Sequence, residues 1–123
     1  MILQIETRKI EPDITVLQLT GKVTRGREGE RVELLVQDLV RQENKKIILD
    51  LTGVNYVDSG GLGIITLCFG TVTEAGGAFR LAGASGLTER LLSITKLQTI
   101  IPCHPTVEAA RESLAAGDAP QRP

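Results

Sequence analysis

The sequence predicts an α/β fold in a single domain, and three observations carry that prediction. Segments that alternate apolar and polar residues, or run apolar for four or five residues, are interleaved with segments whose apolar residues recur at i, i+3 and i+4. Strands and helices in alternation build a sheet covered by helices. The 123 residues are enough for one core and contain no repeat and no internal linker. Apolar residues make up 41% and aromatics 2%, so the core is expected to be aliphatic.

The elements follow in order. Residues 2–10 alternate loosely, and Ile14, Val16, Leu17 and Leu19 continue the pattern after Glu11-Pro12-Asp13, which predicts two strands joined as a hairpin. A polar loop with glycines follows at 24–29. Val32, Leu35, Val36, Leu39 and Val40 then mark one apolar helix face, with the helix expected over 28–42. Ile47-Ile48-Leu49-Asp50-Leu51 predicts a strand covered on both faces. Residues 52–57 read as a connection, and Asp58 or Ser59 is a natural cap for the next helix. That helix, from Gly60 to about Ala75, places Leu62, Ile65, Phe69 and Val72 on one stripe, and Gly76-Gly77 ends it. A second row, Ile64, Leu67 and Cys68, is either further core or an exposed patch. Residues 78–82 read as a strand. Ser85 can cap a helix through Leu87, Leu91 and Leu92. Ile100-Ile101 suggests a last short strand or extended piece, and Thr106 can cap a helix to Ala115. The domain is expected over 1–116, with a disordered polar tail at 117–123.

Composition excludes several functions. A net charge of −1 gives no polyanion-binding surface, and three aromatic residues offer little for base stacking, so nucleic acid is not expected as a partner. The N-terminus lacks a basic segment followed by a long apolar one. The longest uncharged run, 59–73, is broken by glycine and threonine, so no membrane insertion is expected. Cys68 and Cys103 read as reduced thiols, which points to a cytoplasmic protein.

The segment that invites a chemical reading is VDSGGLGIIT, residues 57–66. It lacks the lysine of a Walker phosphate loop, and from Gly61 the dinucleotide fingerprint fails at Thr66. A nucleophile elbow would need glycine where Val57 stands. The single histidine, His104, reads as an exposed loop residue, and with Cys103 it offers too few ligands for a metal. No catalytic residue, metal or cofactor is therefore expected. Two readings of the junction stay open. In one, Asp58 or Ser59 caps the helix and the glycines permit close helix–sheet packing. In the other, a hydroxyl at a helix start is presented to a partner, where a phosphate would add about −1.5 to −2 charges.

The run IILDLTGVNYVDSGGLGIIT resembles the signature of the STAS domain, the fold of anti-sigma factor antagonists: an apolar strand, then Asp-Ser-[Ser/Thr/Ala]-Gly-Leu-Gly opening a helix. Asp58, Ser59, Gly61, Leu62 and Gly63 match. TERLLSITKLQTI, residues 88–100, and PTVEAA, residues 105–110, are similar to the family's third helix and final helix start, so the resemblance spans about residues 3–115. It implies a mixed central sheet with helices packed mainly on one side. It also implies partner switching: the antagonist binds an anti-sigma factor of the serine-kinase type and a sigma factor is released. Phosphorylation by that kinase blocks binding, and a PP2C-type phosphatase restores it.

Two departures bear on that implication. The family's phosphoacceptor is the Ser or Thr after the Asp-Ser pair, and here that position is Gly60. Ser59 is then the candidate substitute for phosphorylation, or a helix cap. The family often reads Gly-Glu-Leu-Asp after the second strand; this chain reads Gly21-Lys22-Val23-Thr24, with Arg25 and Arg27 following. The expected partner surface takes Lys22, Thr24, Arg25 and Arg27 from this basic loop. From the junction it takes Tyr56, Asp58, Ser59, Gly60 and Leu62. A non-phosphorylated STAS scaffold, such as a small subunit of a transporter complex, is the alternative. A nucleotide-binding protein is a third reading, with no lysine or base near the glycines to support it.

Overall fold

The computed structural model describes residues 3–115. Among these, five strands form one sheet in the order β1-β2-β3-β4-β5. They are β1 (Gln4–Ile10), β2 (Ile14–Val23), β3 (Lys46–Val57), β4 (Ala78–Ala82) and β5 (Cys103–His104). β1 and β2 are an antiparallel hairpin, whereas β2–β3, β3–β4 and β4–β5 pair in parallel. The sheet is therefore mixed. The helices are α1 (Arg27–Arg41), α2 (Ser59–Glu74), α3 (Gly86–Ile94) and α4 (Val107–Ala115).

The period of two along each strand decides which face each helix covers. Leu17 and Leu19 of β2, Ile47, Leu49 and Leu51 of β3, and Phe79 and Leu81 of β4 point to one face. There they meet Val32, Val36 and Leu39 of α1, Ile65, Cys68 and Val72 of α2, and Leu92 of α3. The intervening residues Ile14, Val16, Ile48 and Ala82 point to the other face, covered by Ala110 and Leu114 of α4. Three described helices thus lie on one side and one on the other. Each fully buried large aliphatic side chain contributes about 1.5–3 kcal/mol over leaving it in water.

Most expected elements are present within one or two residues, and Asp58, not Ser59, is the cap of α2. Thr106 caps α4 through a 3.0 Å bond accepted from the Ala109 N–H. Ser85 stands at the cap of α3, yet its side chain makes no capping bond. Two expectations are corrected. Residues 52–57 are not a connection but the second half of β3. Pairing with β2 continues through two register irregularities to Lys22 opposite Tyr56 and Val23 opposite Val57. Gly53 permits this, since a Cβ there would lie 2.9 Å from Thr20 Oγ1 and 3.0 Å from the Leu19 carbonyl oxygen. Ile100-Ile101 is not a strand. It follows a 3-10 turn at Leu97–Thr99, with Ile101 fully buried and Ile100 59% exposed, and β5 lies two residues on. The apolar pair marks one core anchor on a loop. The expected tail at 117–123 lies outside the described residues.

Candidate functional site: the start of α2 and the loop after β2

β3 delivers the chain to Asp58 at the carboxyl end of the sheet, and α2 starts there. Asp58 is extended (φ −105°, ψ −174°), and its Oδ1 accepts a 2.8 Å hydrogen bond from the Gly61 N–H. This bond satisfies one of the free donors of the first turn and places a negative charge where the helix dipole is positive. Ser59 opens the helix and is exposed. Among the described residues, no hydrogen bond engages its hydroxyl.

The glycines have a spatial reason. A Cβ on Gly61 would lie 2.0 Å from the Val23 carbonyl oxygen, and one on Gly29 would lie 2.2 Å from the Thr24 carbonyl oxygen. The loop after β2 is thus wedged between the first turns of α1 and α2, and neither turn tolerates a side chain on that side. Arg25 in the same loop lies along α2. A Cβ on Gly60 would lie 2.8 Å from Arg25 Cβ, and one on Gly63 would lie 3.0 Å from Arg25 Nη2. The stem of Arg25 thus takes the space that a side chain at position 60 would enter.

The same packing brings the two expected segments together. Lys22, Arg25, Arg27, Tyr56 and Ser59 are exposed, and Thr24, Asp58 and Gly60 are partly so. Lys22 Nζ stands 5.6 Å from the centroid of the Tyr56 ring, a cation–π contact. Among the described residues no ion pair engages Lys22, Arg25 or Arg27, so with the start of α2 they form an electropositive surface. Glu28 is turned away and accepts a hydrogen bond from the Leu3 N–H at 3.2 Å. Leu62 is corrected: at 6% exposure it belongs to the core, because its position on α2 faces the sheet. In the second row of α2, Ile64 and Cys68 are buried and Leu67 is 47% exposed.

Burial, with Glu33 adding repulsion, pushes the Cys68 thiol up to about 12. Burial also raises Cys103. His104 is held below its usual range by burial and by the nearby Arg80 guanidinium. It is partly buried rather than the exposed loop residue expected, because it sits in β5. Among the described residues, no group of three or more His, Cys, Asp or Glu side chains gathers as a metal site. No described helix is long and apolar enough to cross a membrane. Sequence reasoning missed Leu87, Arg90 and Ile94, which line a cavity with Tyr56. Their spacing on α3 carries the signal, but only the tertiary structure sets that face beside the end of β3.

Comparison with known proteins agrees with this architecture. The STAS domain family matches residues 4–110. A relative from Thermotoga neapolitana, provisionally named as an anti-sigma factor antagonist, is 28% identical over 106 residues, covering 86% of this chain and 94% of that one. The crystal structure of a Thermotoga maritima protein with the same provisional name superposes with a TM-score of 0.83 at 25% identity, over 90% of this chain and 94% of that one. The Bacillus cell fate determinant SpoIIAA in its phosphorylated form shares the fold, with a TM-score of 0.71 at 16% identity over 90% of this chain and 99% of that one. The match to the family across nearly all of the described residues, on a mixed sheet as expected and a glycine-lined helix start, identifies the chain as a member of the STAS domain family.

Proposed function

We propose that this protein is an anti-sigma factor antagonist. It binds an anti-sigma factor of the serine-kinase type and thereby releases a sigma factor. The contact surface is the loop with Lys22, Thr24, Arg25 and Arg27, together with Tyr56, Asp58, Ser59 and Gly60. The observation that carries the reading is the wedge of the β2–α1 loop against Gly61 and Gly29, which fixes both segments in one exposed surface. The provisional names of the Thermotoga relatives support it.

Phosphorylation at the family's usual position has no hydroxyl to use here. Ser59 is the hydroxyl that remains, exposed and without a hydrogen-bond partner among the described residues. A phosphate on it would stand at the start of α2, beside the Asp58 carboxylate, and convert an electropositive surface to an anionic one. That change blocks the partner, and a PP2C-type phosphatase reverses it. The crowding of Gly60 by Arg25 favours a second reading, a STAS module that binds its partner constitutively, as in a transporter complex.

The test is calorimetric binding of the purified protein to kinase-type anti-sigma factors from its own organism, followed by incubation with ATP and intact-mass analysis. Binding by wild type, loss in Ser59→Glu, and a phosphate absent from Ser59→Ala support the switch. Binding without any phosphate, unaffected by Ser59→Glu, selects the constitutive module. Absence of binding to every such anti-sigma factor overturns the antagonist reading.

A further inference from the structure

Helix α3 divides its apolar residues between two destinations. Leu92 is buried at 2% exposure in the core, with the polar Thr88 one turn before it buried at 4%. Leu87, Leu91 and Ile94, at i, i+4 and i+7, lie on a neighbouring face. Leu87 and Ile94 are 70% and 67% exposed, which core packing does not explain. These three side chains, with Arg90, form one wall of a cavity of about 240 Å³, and Tyr56 and Val57 at the end of β3 form the other. This is below the roughly 300–1,000 Å³ of small-molecule sites and suits one bulky apolar side chain.

One cation, Arg90, lines the groove and a second, Lys22, adjoins it through Tyr56, while Glu89 lies with Arg90 in the neighbouring depression. Among the described residues no ion pair engages either cation, and no carboxylate lines the groove. From these observations we infer that the groove between the end of β3 and α3 is a second docking site, which accepts an acidic segment of a partner protein carrying one bulky apolar side chain. The apolar residue seats between Tyr56, Leu87, Leu91 and Ile94, and flanking carboxylates meet Lys22 and Arg90. A second copy of this chain fits poorly, because a two-fold contact here gathers both copies of Lys22 and Arg90 with no carboxylate from the groove to pair them. A bilayer fits less well than a peptide, because the apolar residues line a depression. The inference adds a second contact to the surface proposed above and rests on the reading that this surface docks a protein.

The experiment is an amide-resolved NMR titration of the full chain. The probe is a short peptide with one central leucine flanked by glutamates. Control peptides replace the glutamates with lysines or the leucine with alanine. Anionic phosphatidylserine vesicles and sedimentation of the protein alone complete the set. Saturable shifts at Tyr56 and along 87–94 are expected, with both control peptides losing binding. Lys22→Glu with Arg90→Glu weakens the acidic peptide about tenfold or more, equivalent to roughly 1.4 kcal/mol. Leu87→Ser with Ile94→Ser, at exposed positions that leave the fold intact, does the same. Shifts elsewhere, equal binding of the lysine peptide, indifference to charge reversal, preference for vesicles, or a dimer formed through this groove each overturn the inference. Lys22 and Tyr56 belong to both surfaces, so the α3 variants Leu87→Ser and Ile94→Ser read the groove while Ser59→Glu in the anti-sigma factor measurement reads the junction, and failure of one is distinct from failure of the other.

Discussion

Replacing Gly61 with alanine tests whether the loop after β2 and the start of α2 are one unit. The new Cβ would stand 2.0 Å from the Val23 carbonyl oxygen and 2.8 Å from its carbonyl carbon. Contacts under 3.0 Å force a shift, so the end of β2 must retreat by about 1 Å, and the obstacle is backbone, which cannot rotate aside. Overpacking of this kind costs about 1–3 kcal/mol, and the backbone obstacle places this case at the upper end. Alanine returns at most about 1 kcal/mol in helix propensity. The net loss is then about 2 kcal/mol, or roughly 8 °C in Tm for a domain of this size. Gly70→Ala is the internal control. It lies in the same helix, and a Cβ there meets nothing within 4 Å. It should stabilise the protein by about 0.5–1 kcal/mol. Urea unfolding followed by circular dichroism, with the slope checked for constancy, measures both. A Gly61→Ala variant as stable as wild type, or two variants shifting in the same direction, would refute the close-approach argument.

Other outcomes follow from the same geometry. Gly60→Ala should destabilise the wild type by about 1 kcal/mol and do so much less in an Arg25→Gly background, because Arg25→Ala would keep the obstructing Cβ; a double-mutant cycle reads the coupling. Under native conditions a chromogenic disulfide reagent should label Cys103 only, slowly, with Cys68 reacting on unfolding; equal labelling of both thiols would contradict the burial of Cys68. The folded-state pKa of His104 is depressed, so its neutral form is favoured in the native protein. Its contribution to stability is present above the unfolded value near 6.5 and lost as pH falls through the lower folded value. The loss of stability between neutral pH and pH about 5 should therefore be smaller in His104→Gln than in wild type, read by urea midpoints at each pH.

Much of this protein was legible in its sequence for local reasons. Hydrophobic periodicity placed α1 and α2 because 3.6-residue spacing follows from helix geometry alone, and alternation placed β1 and β2 in the same way. The motif Asp58-Ser59-Gly60-Gly61 located the start of α2 without any structure. Where local signals were shared by two structures, the sequence misled. Residues 52–57 carry Gly53 and polar residues as a loop would, yet the neighbouring strand β2 supplies hydrogen-bond partners that hold them in β3. Ile100-Ile101 looked like a strand because a single buried anchor and a strand share the same apolar dipeptide. Leu62 reads as a junction residue in sequence, but the rotation of α2 against the sheet buries it. What only the tertiary structure decided is which distant segments share a surface. Arg25 over Gly60, and Arg90 beside Tyr56, are neighbours because the turns before α1 and α2 and the end of β3 converge at the carboxyl edge of the parallel strands, a consequence of packing that no short window of sequence encodes.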